Sequence, residues 1–338
     1  ALQGIINTAL NIAFNIIFLV CFDMGILGYV LSVVVANVLV TAFLIVAMKL
    51  HRDFKLEYVN KECIVNMLKY SVPMIPTTVF LWINSVANRF MVAHYCGDDV
   101  NGIFAAAYKI PTAITLLTTI FTEAWQLSAV TDATDNDRGS FYSSVFKSYL
   151  GLMFMAGSGL VAFSKVFTVL LMNESYYDAW QYMPTLIIAT VYLALATFLG
   201  SVYLVKKKSV LSLLTSMAGA TANVAVSFIA IPYLAANFDL IKAAQGAAIG
   251  AVAGYFTVFL IRAVNAQKYI KFNVQPLKLI ANTAILCLQA LAMIFEVDGW
   301  IFYQAAGFVL IVLLNIKPII VGVMPIIKKV ISKFTRTA

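Results

Sequence analysis

Lys109, Thr112, Thr115, Thr119, Glu123 and Gln126 recur at steps of three and four within an otherwise apolar run of this 338-residue chain. That spacing places all six on one stripe of a helix. A stripe carrying an ammonium, a carboxylate and an amide does not face lipid; it faces protein or a water-filled cavity. The threonines can bond to carbonyls of their own helix, and Lys109, near the outer end, can reach water along its stem. Glu123 has no such exit, lying about 10 Å inside the cytoplasmic end at roughly 1.5 Å per residue, which makes it a candidate cavity-lining residue. One run upstream, Asn84 and Asn88 form an i, i+4 pair, and Arg89 lies at nearly the depth of Lys109 across a hairpin. Two cations at one depth make a seat for an anionic group such as a phosphate, which guanidinium grips as a fork and ammonium as a mobile charge.

The elements that must position these groups follow from composition. Hydrophobic residues make up 62% of the chain and charged residues 11%, far from the balance of a soluble domain. Ten apolar runs, from 4–22 to 299–316, are long enough to cross a bilayer core of about 30 Å, and the candidate groups lie on those at 70–95 and 103–131. The fold class is therefore an all-α polytopic membrane protein. The net charge of +8 resolves into topology: most Lys and Arg, including Lys206, Lys207, Lys208, Arg262, Lys268 and Lys271, fall in one set of connectors, while Asp98, Asp99, Glu174, Asp178 and Asp239 fall in the other. This is the positive-inside pattern and gives no sign of a nucleic-acid surface. Lys165, in the run 145–172, is expected to snorkel outward.

The connectors leave little room for chemistry outside the membrane. The longest, 49–69, is charged and amphipathic and reads as a helix on the cytoplasmic surface joining two bundles, 1–48 and 70–265, with a further helix pair and basic tail over 266–338. Asp135-Asn136-Asp137 has a metal-sugar-nucleotide form but stands in a short loop with no nucleotide-binding domain, and reads as a solvated turn. The four cysteines are scattered without pairing or metal-type spacing. Pro73, Pro76 and Pro111 interrupt helical hydrogen bonding near the starts of the two site helices.

An internal repeat organises the whole. Asn11-Ile-Ala-Phe-Asn15 followed by Gly25-Ile-Leu-Gly28 is echoed by Asn223-Val-Ala-Val-Ser227 followed by Gly246-Ala-Ala-Ile-Gly250, six apolar runs later. An even-numbered unit repeats in the same orientation, the parallel plan of many transporters, and implies four further helices ahead of Ala1. Asn7, Asn11 and Asn15 lie on one helix stripe, and their echo in the second copy favours interhelical hydrogen bonds along a packing seam over cavity lining.

The segments "YSVPMIPTTVFLWINSVANRFMVAHYCG", "GIFAAAYKIPTAI", "FTEAWQLSAV" and "ESYYDAWQYMP", in that order, resemble the Wzx-like oligosaccharide flippases of the polysaccharide-biosynthesis type, within the multidrug/oligosaccharidyl-lipid/polysaccharide exporter superfamily. The resemblance runs from the first helix to about residue 275. It implies two six-helix lobes, twelve to fourteen helices in all, around a central cavity in the bacterial cytoplasmic membrane. It also implies a carrier, not an enzyme, that moves an undecaprenyl-diphosphate-linked oligosaccharide to the outer leaflet by alternating access. No cofactor is implied; a proton or sodium gradient would drive the carrier, and polysaccharide polymerase and glycosyltransferases would be its partners. On this map Arg89 and Lys109 attract the diphosphate, Asn84, Asn88, Thr112, Thr115, Thr119 and Gln126 line the sugar path, and Glu123 couples an ion. Two departures bear on the drive: Asn88 stands where the family usually has an acidic residue, and Glu123 where it commonly has Gln. A multidrug/cation antiporter of the same fold would want more cavity carboxylates, and a glycan polymerase larger outer loops.

Overall fold

The computed structural model describes residues 2–49, 60–131 and 138–334. Residues 50–59 of the charged linker and the Asp135–Asp137 segment lie outside the described residues. Among those described, nine helices are long and apolar enough to cross a membrane, and ten when one bent pair is counted. The chain divides into two units, Ala1–Leu68 and Lys69–Ala338.

In the first unit, α1 (Leu2–Asn15) runs on through a π-helical turn to Cys21 and packs against α2 (Gly25–Ala47). The asparagine stripe supplies the seam: Ser32 donates to Asn15 Oδ1 at 2.7 Å, Asn15 to Asn11 Oδ1 at 3.0 Å, and Asn7 to Asn37 Oδ1 at 3.5 Å. Gly28 permits the close approach, since a Cβ there would meet the Phe18 carbonyl at 2.9 Å. Helix α3 (Lys61–Ser71) follows.

The second unit holds α4 (Met74–Cys96), α5 (Asp98–Ala107), α6 (Thr112–Thr131), α7 (Arg138–Ala162), α8 (Ser164–Leu171), α9 (Met183–Val205), α10 (Ser209–Asn237), α11 (Gln245–Ala266), α12 (Pro276–Ile294) and α13 (Trp300–Phe334). Helix α9 is buried along most of its length and forms the axis of the unit. The run expected as one helix over 103–131 is broken: α5 and α6 meet at a 44° bend, because Pro111 offers no N–H to continue the ladder. The run over 145–172 likewise breaks at Phe163 between α7 and α8.

The helix pair beyond residue 266 belongs to this unit and docks through buried amides. Gln289 and Gln304 each donate to the other's backbone carbonyl, at 3.0 and 2.8 Å, while Ser158 on α7 donates to Gln289 Oε1 at 2.7 Å. Asn315 donates to Asn282 Oδ1 at 2.7 Å.

Two cations have partners that their sequence positions do not name. Lys165 reaches the connector after α12: it is ion-paired with the exposed Glu296, and its ammonium lies 4.0 Å from the Trp180 ring centroid and 4.6 Å from that of Trp300. An aromatic pair and a carboxylate hold its charged end there. Arg262 is not a loop charge: it is buried on α11, donating to Ala196 O at 2.8 Å, Thr215 Oγ1 at 3.1 Å and Ser216 Oγ at 3.3 Å. It thus ties α9, α10 and α11 together, in space left by Gly200, whose absent side chain would otherwise meet Arg262 Nη1 at 2.8 Å.

Candidate functional site

The polar stripe faces two cavities, parted by the bend. Outside it, Arg89 from α4 and Lys109, Tyr108 and Thr112 at the α5–α6 break share a cavity of about 610 Å³ with Asn173 and Tyr176. Inside it, Thr115, Thr118, Thr119, Glu123 and Gln126 of α6 face α9 across a cavity of about 280 Å³, where Thr190 and Thr197 complete the wall.

The outer cavity is a donor site. Arg89 and Lys109 are both exposed, with no carboxylate among the residues lining the space. The Arg89 guanidinium carbon lies 5.6 Å from the Tyr108 ring centroid, within reach of a cation–π contact that sets the plane of the group without using its N–H donors. Lys109 is held at the break by its backbone, its N–H bonding to the Ala106 carbonyl at 3.0 Å. Such a pair suits a multiply charged anion.

The inner cavity is an acceptor site. Thr118, Thr119, Thr190 and Thr197 each give their hydroxyl hydrogen to a carbonyl of their own helix, at 2.8–2.9 Å. Each hydroxyl is left with lone pairs. With the Glu123 carboxylate, the wall therefore offers acceptors to sugar hydroxyls or to a cation. Trp125 aims this face: two residues from Glu123 and on the opposite side of α6, it is buried, donates from Nε1 to Ser201 Oγ at 2.8 Å, and stacks on Phe198 at 4.9 Å between centroids.

Asn84 and Asn88 reach neither cavity. Both are buried, 2% and 0% exposed, in the seam of α4 with α10 and α11. Asn223 donates to the backbone and side-chain oxygens of Asn84, the Ser227 hydroxyl lies 3.2 Å from both Asn88 Oδ1 and Asn223 Oδ1, and Asn88 donates to the Ala247 carbonyl at 3.1 Å. Isolated amides in a helix interior seek partners on the nearest helix, and here α10 supplies them at the same spacing. Gly250 makes room: a Cβ there would lie 1.9 Å from Ser227 Oγ and 2.8 Å from Asn223 Oδ1. Gly250→Ala is accordingly expected to destabilise the unit by about 2 kcal/mol or more, read as a lowered thermal midpoint of the purified chain.

Sequence reasoning passed over Tyr108, Asn173 and Tyr176. The last two lie around a 3-10 turn, Glu174–Gln181, which Asn173 caps by accepting from Ser175 N–H at 3.2 Å. For Tyr176 the signal was present in "ESYYDAWQYMP", an aromatic-rich outer connector with no hydrophobic period to explain it.

Residues 1–126 match the polysaccharide biosynthesis protein family. No curated protein matches the sequence. Solved structures share the fold: a MATE in its straight conformation superposes with TM-score 0.66 at 16% identity, covering 79% of this chain and 62% of that one. A MOP-superfamily transporter from Pyrococcus furiosus, described as having a binding pocket of reversed polarity, gives 0.61 at 15% identity, with 79% and 62% covered. The lipid II flippase MurJ, inward closed, gives 0.54 at 14% identity over 95% of this chain and 67% of that one.

Proposed function

We propose, for a chain that has the MOP-superfamily transporter fold and matches the polysaccharide biosynthesis family over its first 126 residues, that it carries a lipid-linked oligosaccharide across the bacterial cytoplasmic membrane. The chain spans about 62% of the length of the MATE structures it matches, so the carrier is the whole protein to which this chain contributes. The observation that carries the reading is the pairing of two unlike cavities along one bent helix. The outer one, with Arg89 and Lys109, seats the diphosphate of an undecaprenyl-diphosphate carrier lipid; the inner one, acceptor-walled, takes the hydroxyls of the glycan. Glu123 is the group through which a proton or sodium gradient couples. Alternating exposure of the cavities to the two faces moves the cargo with no covalent step, alongside glycosyltransferases that build the glycan and a polymerase that extends it.

An antiporter of hydrophobic cations would place carboxylates where this chain places Arg89 and Lys109. The deciding experiment removes the gene and follows the lipid-linked glycan. A flippase leaves it in the cytoplasmic leaflet at normal repeat length; normal translocation with lost polymerisation would overturn the reading in favour of an enzyme.

A further inference from the structure

Tyr108 occupies a position that the transport reading alone does not require. It is the first residue of the break between α5 and α6, adjacent to Lys109 in sequence and facing Arg89 in space, with the guanidinium carbon 5.6 Å from its ring centroid. The Phe104 ring meets the Tyr108 ring edge-on at 5.4 Å. The Thr112 hydroxyl donates to the Tyr108 carbonyl at 2.8 Å across the bend. Ring and carbonyl are thus each held by a different neighbour, and a ring face is left to carry Arg89.

We propose that Tyr108 is the positioning residue of the anion seat: its ring, packed edge-on against Phe104 and fixed at the break by the Thr112 bond to its carbonyl, holds the Arg89 guanidinium in the outer cavity. This inference rests on the transport reading, because it presumes that the seat takes a diphosphate. An exposed arginine on a long stem loses side-chain freedom when it closes on an anion, and an aromatic platform that already orients the guanidinium lowers that cost. Lys109 gains less, since an ammonium has no plane to set.

The test titrates inorganic pyrophosphate into the full chain, purified in detergent, by calorimetry, for wild type, Tyr108→Leu, Arg89→Gln and the double variant. Tyr108→Leu is expected to weaken binding about fivefold, the scale of one partly desolvated cation–π contact. In the Arg89→Gln background the same change is expected to alter affinity by less than about twofold, because the group it positions is gone. Equal losses in both backgrounds would overturn the positioning role and leave the seat standing. Tyr108→Phe, which keeps the ring, is expected to bind within about threefold of wild type; a phenylalanine chain as weak as the leucine one would overturn the ring's part. Should Tyr108→Leu not remain monodisperse, Tyr108→Met takes its place in the cycle. Absence of saturable pyrophosphate binding by wild type would instead remove the anion seat itself, and with it the transport reading's diphosphate contact.

Discussion

Alanine at Arg89 is expected to abolish glycan export while leaving the amount of protein in the membrane unchanged, and alanine at Lys109 to do nearly the same. Both side chains are exposed in the outer cavity, so neither removal leaves a void or a buried unpaired group. The effect falls on the ligand: a charge-assisted hydrogen bond contributes about 1.5–3 kcal/mol, and losing one weakens binding by roughly 10- to 100-fold. Arg89→Lys is expected to recover part of the loss, since an ammonium restores charge but not the fork. Export is scored as surface glycan in a deletion strain carrying each variant, with membrane protein measured alongside. Wild-type export from both alanine variants would sink the diphosphate seat.

The second large effect is on stability. Trp125 is 4% exposed and stacks on Phe198 at 4.9 Å, with Tyr142 edge-on at 4.8 Å. Removing that ring to alanine opens a cavity where α6, α7 and α9 meet and is expected to cost about 3–5 kcal/mol. Trp125→Phe keeps an aromatic ring on Phe198 and loses the bond to Ser201 and the smaller part of the indole's volume, for about 2 kcal/mol. Thermal unfolding in detergent separates the two, and an alanine variant within about 1 kcal/mol of wild type would show that α6 is held by other contacts. Because the same ring turns Glu123 towards the inner cavity, Trp125→Ala should also impair export in the fraction that remains folded.

These effects mark what could be read before the fold was known. The polar stripe from Lys109 to Gln126 was legible because helical spacing is a local property, and it does meet cavities along its length. Its division in two was not, although Pro111 stood at the dividing point: a proline interrupts the hydrogen-bond ladder but does not state the angle, which the packing of α5 and α6 decides. Asn84 and Asn88 were legible as amides that must be satisfied. Which side satisfies them depends on Asn223 and Ser227, more than a hundred residues away. Arg262 reads as a connector charge because it stands at the end of an apolar run. Its burial rests on acceptors from α9 and α10 and on the space at Gly200, none of them near in sequence.

The helix pair at the end of the chain looked merely apolar, and its glutamines show more. A lone helix entering the bilayer with Gln289 or Gln304 would present an unpaired amide to hydrocarbon. Each of these side chains instead donates to the backbone of the other helix, so α12 and α13 satisfy one another's amide donors as a hairpin, leaving the Gln289 side-chain oxygen to Ser158 of α7. That suits biogenesis: the two helices can leave the insertion machinery already paired. Docking on α7 then adds the Ser158 bond to Gln289, a late step that locks a preassembled piece into place.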